Sequence, residues 1–195
     1  MAQSKPKEYS AAIEASLSHF RSIPWINDLH LSDDDFHIVG GNLSRAITQP
    51  GNGHSLTGET WNTDKTIAHL ITMYRPASPG GEAGELDGEL RRFYTFGTGL
   101  NAHPNLLHGG VIATILDSAM GNVVHQALRP KGATFTVVLN ITYKKPVSTP
   151  ASVLVRSSVV KVEGRKIWAR GAVESSSGEV HATAEGMWLV AKANL

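Results

Sequence analysis

The stretch HGGVIATILDSAMGNVVHQAL, residues 108–128, contains a single charged residue, Asp117. A helix washed by water on one side carries a face of Lys and Glu. This stretch has no such face, so its pattern predicts a long helix over 107–128 that is buried nearly all round. At roughly 100° per residue, Ile112, Ile115, Leu116, Ala119, Val123 and Ala127 fall on one stripe, which is assigned to a sheet-facing core. The opposite sector collects Gly110, Ala113, Thr114, Asp117 and Gly121, short side chains around a solitary carboxylate. A partner backbone or a ligand is therefore expected to come close there. An Asp in mid-helix has poor propensity and is seldom buried without a partner. The residues alone leave two readings of Asp117, an ion-paired structural acid and a reacting one. His108-Gly109-Gly110 also reads two ways, as a plain tight turn into the helix or as an oxyanion cradle. In the cradle, two glycines let a ligand atom approach unpaired backbone N–H groups, where the helix dipole favours negative charge.

Four β-rich runs follow the helix, over 134–143, 153–162, 166–173 and 180–190. They are separated by Pro146 and Pro150, by Glu163-Gly164 and by the Ser/Gly turn at 175–178. Before the helix, 66–74 and 91–96 carry the β-branched and aromatic content of two more strands. Between those two lies 76–90, with four glycines and two prolines, which reads as a mobile flap or a disordered insertion. Residues 40–58 lack hydrophobic period and read as irregular connection. Near the start, Ile13, Leu17 and Phe20 recur at helical spacing, predicting an amphipathic helix over 7–21 that Pro24 stops. The acidic run Asp33-Asp34-Asp35 after Ser32 is helix-start chemistry, since it lacks the glycine and glutamate spacing of a calcium loop. Two strands, one apolar helix and four strands make an α+β domain, expected over 61–195. In it an antiparallel sheet packs on one principal helix, and a partly helical extension, 1–60, precedes it.

Composition narrows the function. Among 195 residues, 18 Lys and Arg balance 17 Asp and Glu, so the net charge of +1 offers no broad footprint for nucleic acid or an anionic membrane. A small-molecule partner is expected. With no cysteine there is no disulfide, thiolate metal site or thiol nucleophile. The nine histidines show no ligand spacing, and no metal is expected. Hydrophobic residues at 41% and charged residues at 18% exclude a wholly disordered chain and a coiled coil. No apolar run approaches the ~20 residues of a membrane span, and the first residues lack a secretory apolar stretch and the arginines of a transit peptide. The chain is expected to be its own mature form, cytoplasmic, with a mitochondrial address as the alternative.

Residues 108–121 (HGGVIATILDSAMG) resemble the signature of hotdog-fold acyl-CoA thioesterases of the 4-hydroxybenzoyl-CoA thioesterase superfamily, in its phenylacetate-pathway-like branch. The resemblance continues through 136–147 (TVVLNITYKKPV) and 162–168 (VEGRKIW), covers roughly 66–189, and is closer to the branch's human members than to its short bacterial enzymes. It implies a curved antiparallel sheet wrapped around one long helix, self-associated as a dimer or tetramer with thioester sites at the subunit interface. It also implies hydrolysis of acyl-CoA or acyl-carrier thioesters, with no cofactor beyond the coenzyme A of the substrate. By the same resemblance the Gly110 amide, helped by Gly109, polarises the carbonyl, and Asp117 is general base or nucleophile. His108 orients the glycine turn or touches substrate, while Thr136 holds the water or the carboxylate. Asn101 and Asn105 lie where relatives carry a polar group near the thioester. Lys144, Lys145, Gly164, Arg165 and Lys166 are the candidates for the coenzyme A rim. A noncatalytic thioester binder is the first alternative, a hotdog dehydratase or hydratase the second. Gly110 and Asp117 are about 10.5 Å apart along an ideal axis, a gap one helix barely bridges, so a site shared between two chains is the easier geometry.

Overall fold

Elements in a computed structural model, which describes residues 10–39, 47–49, 52–78, 86 and 88–192, begin with α1 (Ala11–Arg21), α2 (Pro24–Ile26), β1 (His37–Ile38), β2 (Ile47–Gln49) and β3 (Asn52–Gly53). They continue with β4 (Ile67–Arg75), β5 (Glu89–Phe96), β6 (Asn101–His103), β7 (Leu106–Leu107), α3 (Gly109–Leu128), β8 (Thr134–Tyr143), β9 (Ala151–Glu163), β10 (Lys166–Glu174) and β11 (Val180–Val190). Seven strands make one antiparallel sheet in the order β1-β4-β5-β9-β10-β11-β8. The β9–β10 hairpin closes by pairing Glu163 with Lys166. Its turn holds Gly164 at φ 56°, in the left-handed region that a side chain resists.

Helix α3 lies across the inner face of this sheet. Val111, Ile112, Ile115, Leu116, Ala119, Met120, Val123 and Val124 are buried there against Leu90 and Tyr94 of β5, Val155 of β9, Ile167 of β10 and Trp188 of β11. Each such burial stabilises the fold by roughly 1.5–3 kcal/mol. One polar tie adds to the apolar contact. The buried Arg92 guanidinium of β5 donates to Thr72 Oγ1 on β4 (3.0 Å) and to Ser118 Oγ on α3 (2.8 Å). This is the α+β hotdog arrangement, a curved sheet around one long helix.

The outer face is covered by the N-terminal segment. Ile13, Leu17 and Phe20 of α1, with Ile26 and Phe36, pack on Ile71 and Met73 of β4, Phe93 of β5 and Leu154 of β9. Asp33, in the expected acidic run, bonds Arg91 at 2.9 Å, and the Arg91 guanidinium lies 3.7 Å from the centre of the Phe36 ring.

Several expectations are corrected. The helix starts at Gly109, and its burial is one-sided, with Gly110 and His125 exposed and Ala127 only partly covered. The sheet has seven strands because His37–Ile38 pairs with β4, a two-residue element too short to show a period. Within 40–58, β2 and β3 pair and Leu56–Thr60 forms a π-helical turn, while 40–46, 50 and 51 lie outside the described residues. Of the 76–90 stretch, Glu89 and Leu90 belong to β5, and 79–85 and 87 lie outside the described residues. Residues 7–9 of the first expected helix do so too.

Candidate active site

The first turn of any helix has four backbone N–H groups without helical acceptors. In α3 the His108 N–H is taken by Leu100 O at 2.9 Å, and those of Gly110 and Val111 are answered by His108. His108, at φ −64° and ψ 134°, is the N-cap, and its Nδ1 accepts from the Gly110 N–H at 2.8 Å. Its carbonyl accepts from Val111 N–H at 2.9 Å and from Ile112 N–H at 3.3 Å. An accepting Nδ1 requires the imidazole proton on Nε2. Gly109 N–H is the remaining donor, and it has no acceptor among the described residues. Gly110, expected to polarise a carbonyl, instead spends its amide on the cap.

Eight residues on, half-buried Asp117 accepts a 2.8 Å hydrogen bond at Oδ1 from Thr136 Oγ1 of β8. No ion pair reaches it among the described residues. Tyr143, at the other end of β8, donates its hydroxyl to Gly109 O at 3.0 Å. Sequence reasoning quoted Tyr143 inside a motif without giving it a role. The contact spans 34 residues and depends on the strand's placement beside the helix start. Only the strand's length and direction relative to the helix hinted at it.

The remaining candidates separate. Asn101 Oδ1 accepts from Thr149 Oγ1 at 2.6 Å, and Asn105, at φ 58°, accepts the Thr149 N–H at its carbonyl. Both brace the loop before β9, and neither touches Asp117. Lys144 and Lys145 follow the Tyr143 end of β8, and Lys145 Nζ is held by Glu179. Gly164, Arg165 and Lys166 sit at the opposite end, because Lys166 pairs with Leu189 and Leu189 with Phe135. Along a strand of that length the two cation groups are roughly 30 Å apart, so one chain does not gather them into a single rim. Of the small-residue sector of α3, the Gly121 end is met by this chain's own Trp188, while Gly110 is exposed. Trp188 Nε1 lies 3.4 Å from where a Gly121 β-carbon would sit.

A cavity of about 580 Å³ opens on the outer face, lined by Glu89, Arg156, Arg170, Glu185, Asn140 and Thr142 among others, and holds none of the candidates. Around Gly109 and Asp117 the surface is open, with His108, Gly110 and Thr136 exposed. No cluster of three His, Asp or Glu that could hold a metal occurs among the described residues. No described helix is long and apolar enough to cross a membrane.

What this arrangement offers chemically is an unanswered N–H at a helix start, and a carboxylate with one oxygen fixed and no counter-ion. Comparison with known proteins fits it. The sequence pattern of the thioesterase superfamily matches residues 104–182. Acyl-coenzyme A thioesterase THEM4 of Mus musculus is 39% identical over 40% of this chain and 33% of its own length; that of Rattus norvegicus is 34% identical over 48% and 39%. This chain thus spans about a third of the length of these curated relatives. A crystal structure of a thioesterase from Haemophilus influenzae shares the fold at 11% identity, covering 63% of this chain and 80% of that one with a TM-score of 0.51. Residues 104–182, with Asp117 and the glycine turn inside them, are thus similar to the thioesterase superfamily, and the chain has the hotdog fold.

Proposed function

We propose that this chain hydrolyses acyl-CoA or acyl-carrier thioesters to a free acid and a thiol. The observation that carries the reading is that one helix holds a Gly109 N–H without an acceptor and an Asp117 without a cationic partner among the described residues. The relatives named acyl-coenzyme A thioesterases support the substrate class. As water attacks the carbonyl carbon, the carbonyl oxygen gains negative charge, which the Gly109 N–H at the positive end of α3 stabilises. Asp117 takes the water's proton at the oxygen that Thr136 leaves free, the C–S bond breaks, and the thiolate leaves and is protonated. An oxyanion donor contributes roughly 2.7–4 kcal/mol and a positioned base about 10²–10⁴ in rate, so the two suffice for an already reactive thioester.

The site is completed by a second copy. Strand β8 is a sheet edge, and it exposes Phe135, Val137, Val138 and Tyr143 at 57, 54, 40 and 52%. A long apolar edge of this kind pairs with another strand. Antiparallel pairing about a two-fold axis near Leu139 and Asn140 brings the Thr136 end of one protomer beside the Tyr143 end of its partner. Asp117 of one chain then faces Gly109 of the other, and the two separated cation groups meet as a rim for the coenzyme A phosphates. The first sixty residues are an extension, of which α1, Ile26 and Phe36 pack on the outer face.

Two atom-scale variants test the reading. Asp117→Asn keeps volume and removes the base. Gly109→Pro removes the donor at a first-turn position where proline fits, following a His108 already in the extended conformation a proline requires. Each is expected to lower kcat for thiol release at least ~10²-fold with the melting temperature nearly unchanged. Wild-type turnover in Asp117→Asn would contradict the assignment.

A further inference from the structure

The Gly109–Gly110 peptide is held at both of its polar atoms by side chains. Its carbonyl accepts from Tyr143 OH at 3.0 Å, and its N–H donates to His108 Nδ1 at 2.8 Å. The Tyr143 ring also lies 3.5 Å from where a Gly109 β-carbon would be. A peptide between two glycines has no β-carbon to restrain it on either side, so these contacts reinforce the helical bonding of the Gly109 carbonyl at the first turn of α3. Rotation would swing a carbonyl oxygen, carrying partial negative charge, towards the place where the thioester oxyanion develops. It would also disturb the neighbouring Gly109 N–H.

We infer that Tyr143 is a positioning residue which, together with the His108 cap, clamps the Gly109–Gly110 peptide and so keeps the Gly109 N–H aimed at the substrate carbonyl. The role in catalysis rests on the thioesterase reading above, whereas the clamp rests on the two hydrogen bonds. Tyr143 is half-exposed at a strand end, and a hydroxyl reaching back to a helix-start carbonyl from there is not required by core packing.

The test is Tyr143→Phe in the full chain, which keeps the ring and deletes one hydrogen bond. The Gly110 amide, followed by NMR hydrogen exchange, is expected to exchange about tenfold faster, the scale of one lost hydrogen bond, while Ile115 and Leu116 keep their protection. For an acyl-CoA substrate kcat is expected to fall about tenfold with KM within about twofold. Adding Gly109→Ala, whose β-carbon restores backbone restraint and meets Tyr143 only at ordinary contact distance, is expected to recover part of kcat. Unchanged Gly110 exchange in Tyr143→Phe overturns the clamp. Faster exchange with wild-type kcat overturns its role in positioning. Should the wild-type chain release no thiol, the thioesterase reading fails, and Gly110 exchange still decides the clamp.

Discussion

The two faces of the sheet treat their polar groups in opposite ways. On the outer face Glu89 binds Arg91 at 2.8 Å and also Arg156, Arg156 binds Glu174 at 3.1 Å, and Arg91 binds Asp33. That face also holds the 580 Å³ cavity. At the inner face the Gly109 N–H has no acceptor among the described residues, Asp117 has no cation, and no wall stands opposite them. The proposed reactive groups are those with unspent hydrogen-bonding capacity, not those lining the larger volume. The outer ions answer one another and hold the extension to the sheet, whereas the inner groups are the ones proposed to meet a substrate and a second copy of the chain.

The inner face is most exposed to change at the β8 edge. Val137→Lys places a charge on the strand proposed to pair, and is expected to yield monomers by light scattering and to lower thiol release more than ~10²-fold. Stable dimers with full activity would separate the inner face from any partner. On the outer face, Glu89→Gln is expected to lower unfolding free energy by about 1–3 kcal/mol in denaturant titrations while leaving kcat unchanged. Loss of kcat there would give the outer cluster a catalytic part.

Acid sharpens the contrast most gently. Burial lowers the His30 pKa from 6.5 to about 4, helped by the charges of Arg91 and Arg156 and opposed by Glu174 and Glu89. Burial and the stacked His69 ring, 3.9 Å away, lower that of His19. Both folded-state values lie below the unfolded one, so folding disfavours the charged forms. The His30 contribution to stability is whole above pH 6.5 and declines as pH falls from there through about 4, and that of His19 is likewise lost as pH falls below 6.5. Exchange of α1 amides, corrected for intrinsic rates, is expected to rise between about pH 7 and 5, while that of the Ile115 to Met120 amides stays slow. Simultaneous loosening of both helices would show the faces to be one cooperative unit.

Much of the fold was legible because its elements obey local rules. The expected run at 134–143 coincides with β8, 180–190 with β11, and the helix differs by two residues at its start. Alternation, turn glycines and the lack of charge around Asp117 supplied those boundaries. The acid and the glycine turn were legible too, but not which glycine amide is free, because that depends on where the His108 ring turns back onto Gly110. Tyr143 escaped for a related reason, since its hydrogen bond is set by the position of an edge strand against a helix end. His37–Ile38 joins the sheet with two residues and leaves no pattern to read.

Subunit mixing decides whether each site takes its Asp117 from one protomer and its Gly109 from the other. Asp117→Asn and Gly109→Pro proteins, each inactive alone, are unfolded together, refolded in equal amounts and assayed for thiol release. A shared site predicts recovery of about a quarter of wild-type activity, since half the dimers are mixed and each mixed dimer has one intact site. No recovery from mixed dimers would place both groups of a site in a single chain and rule out the shared site.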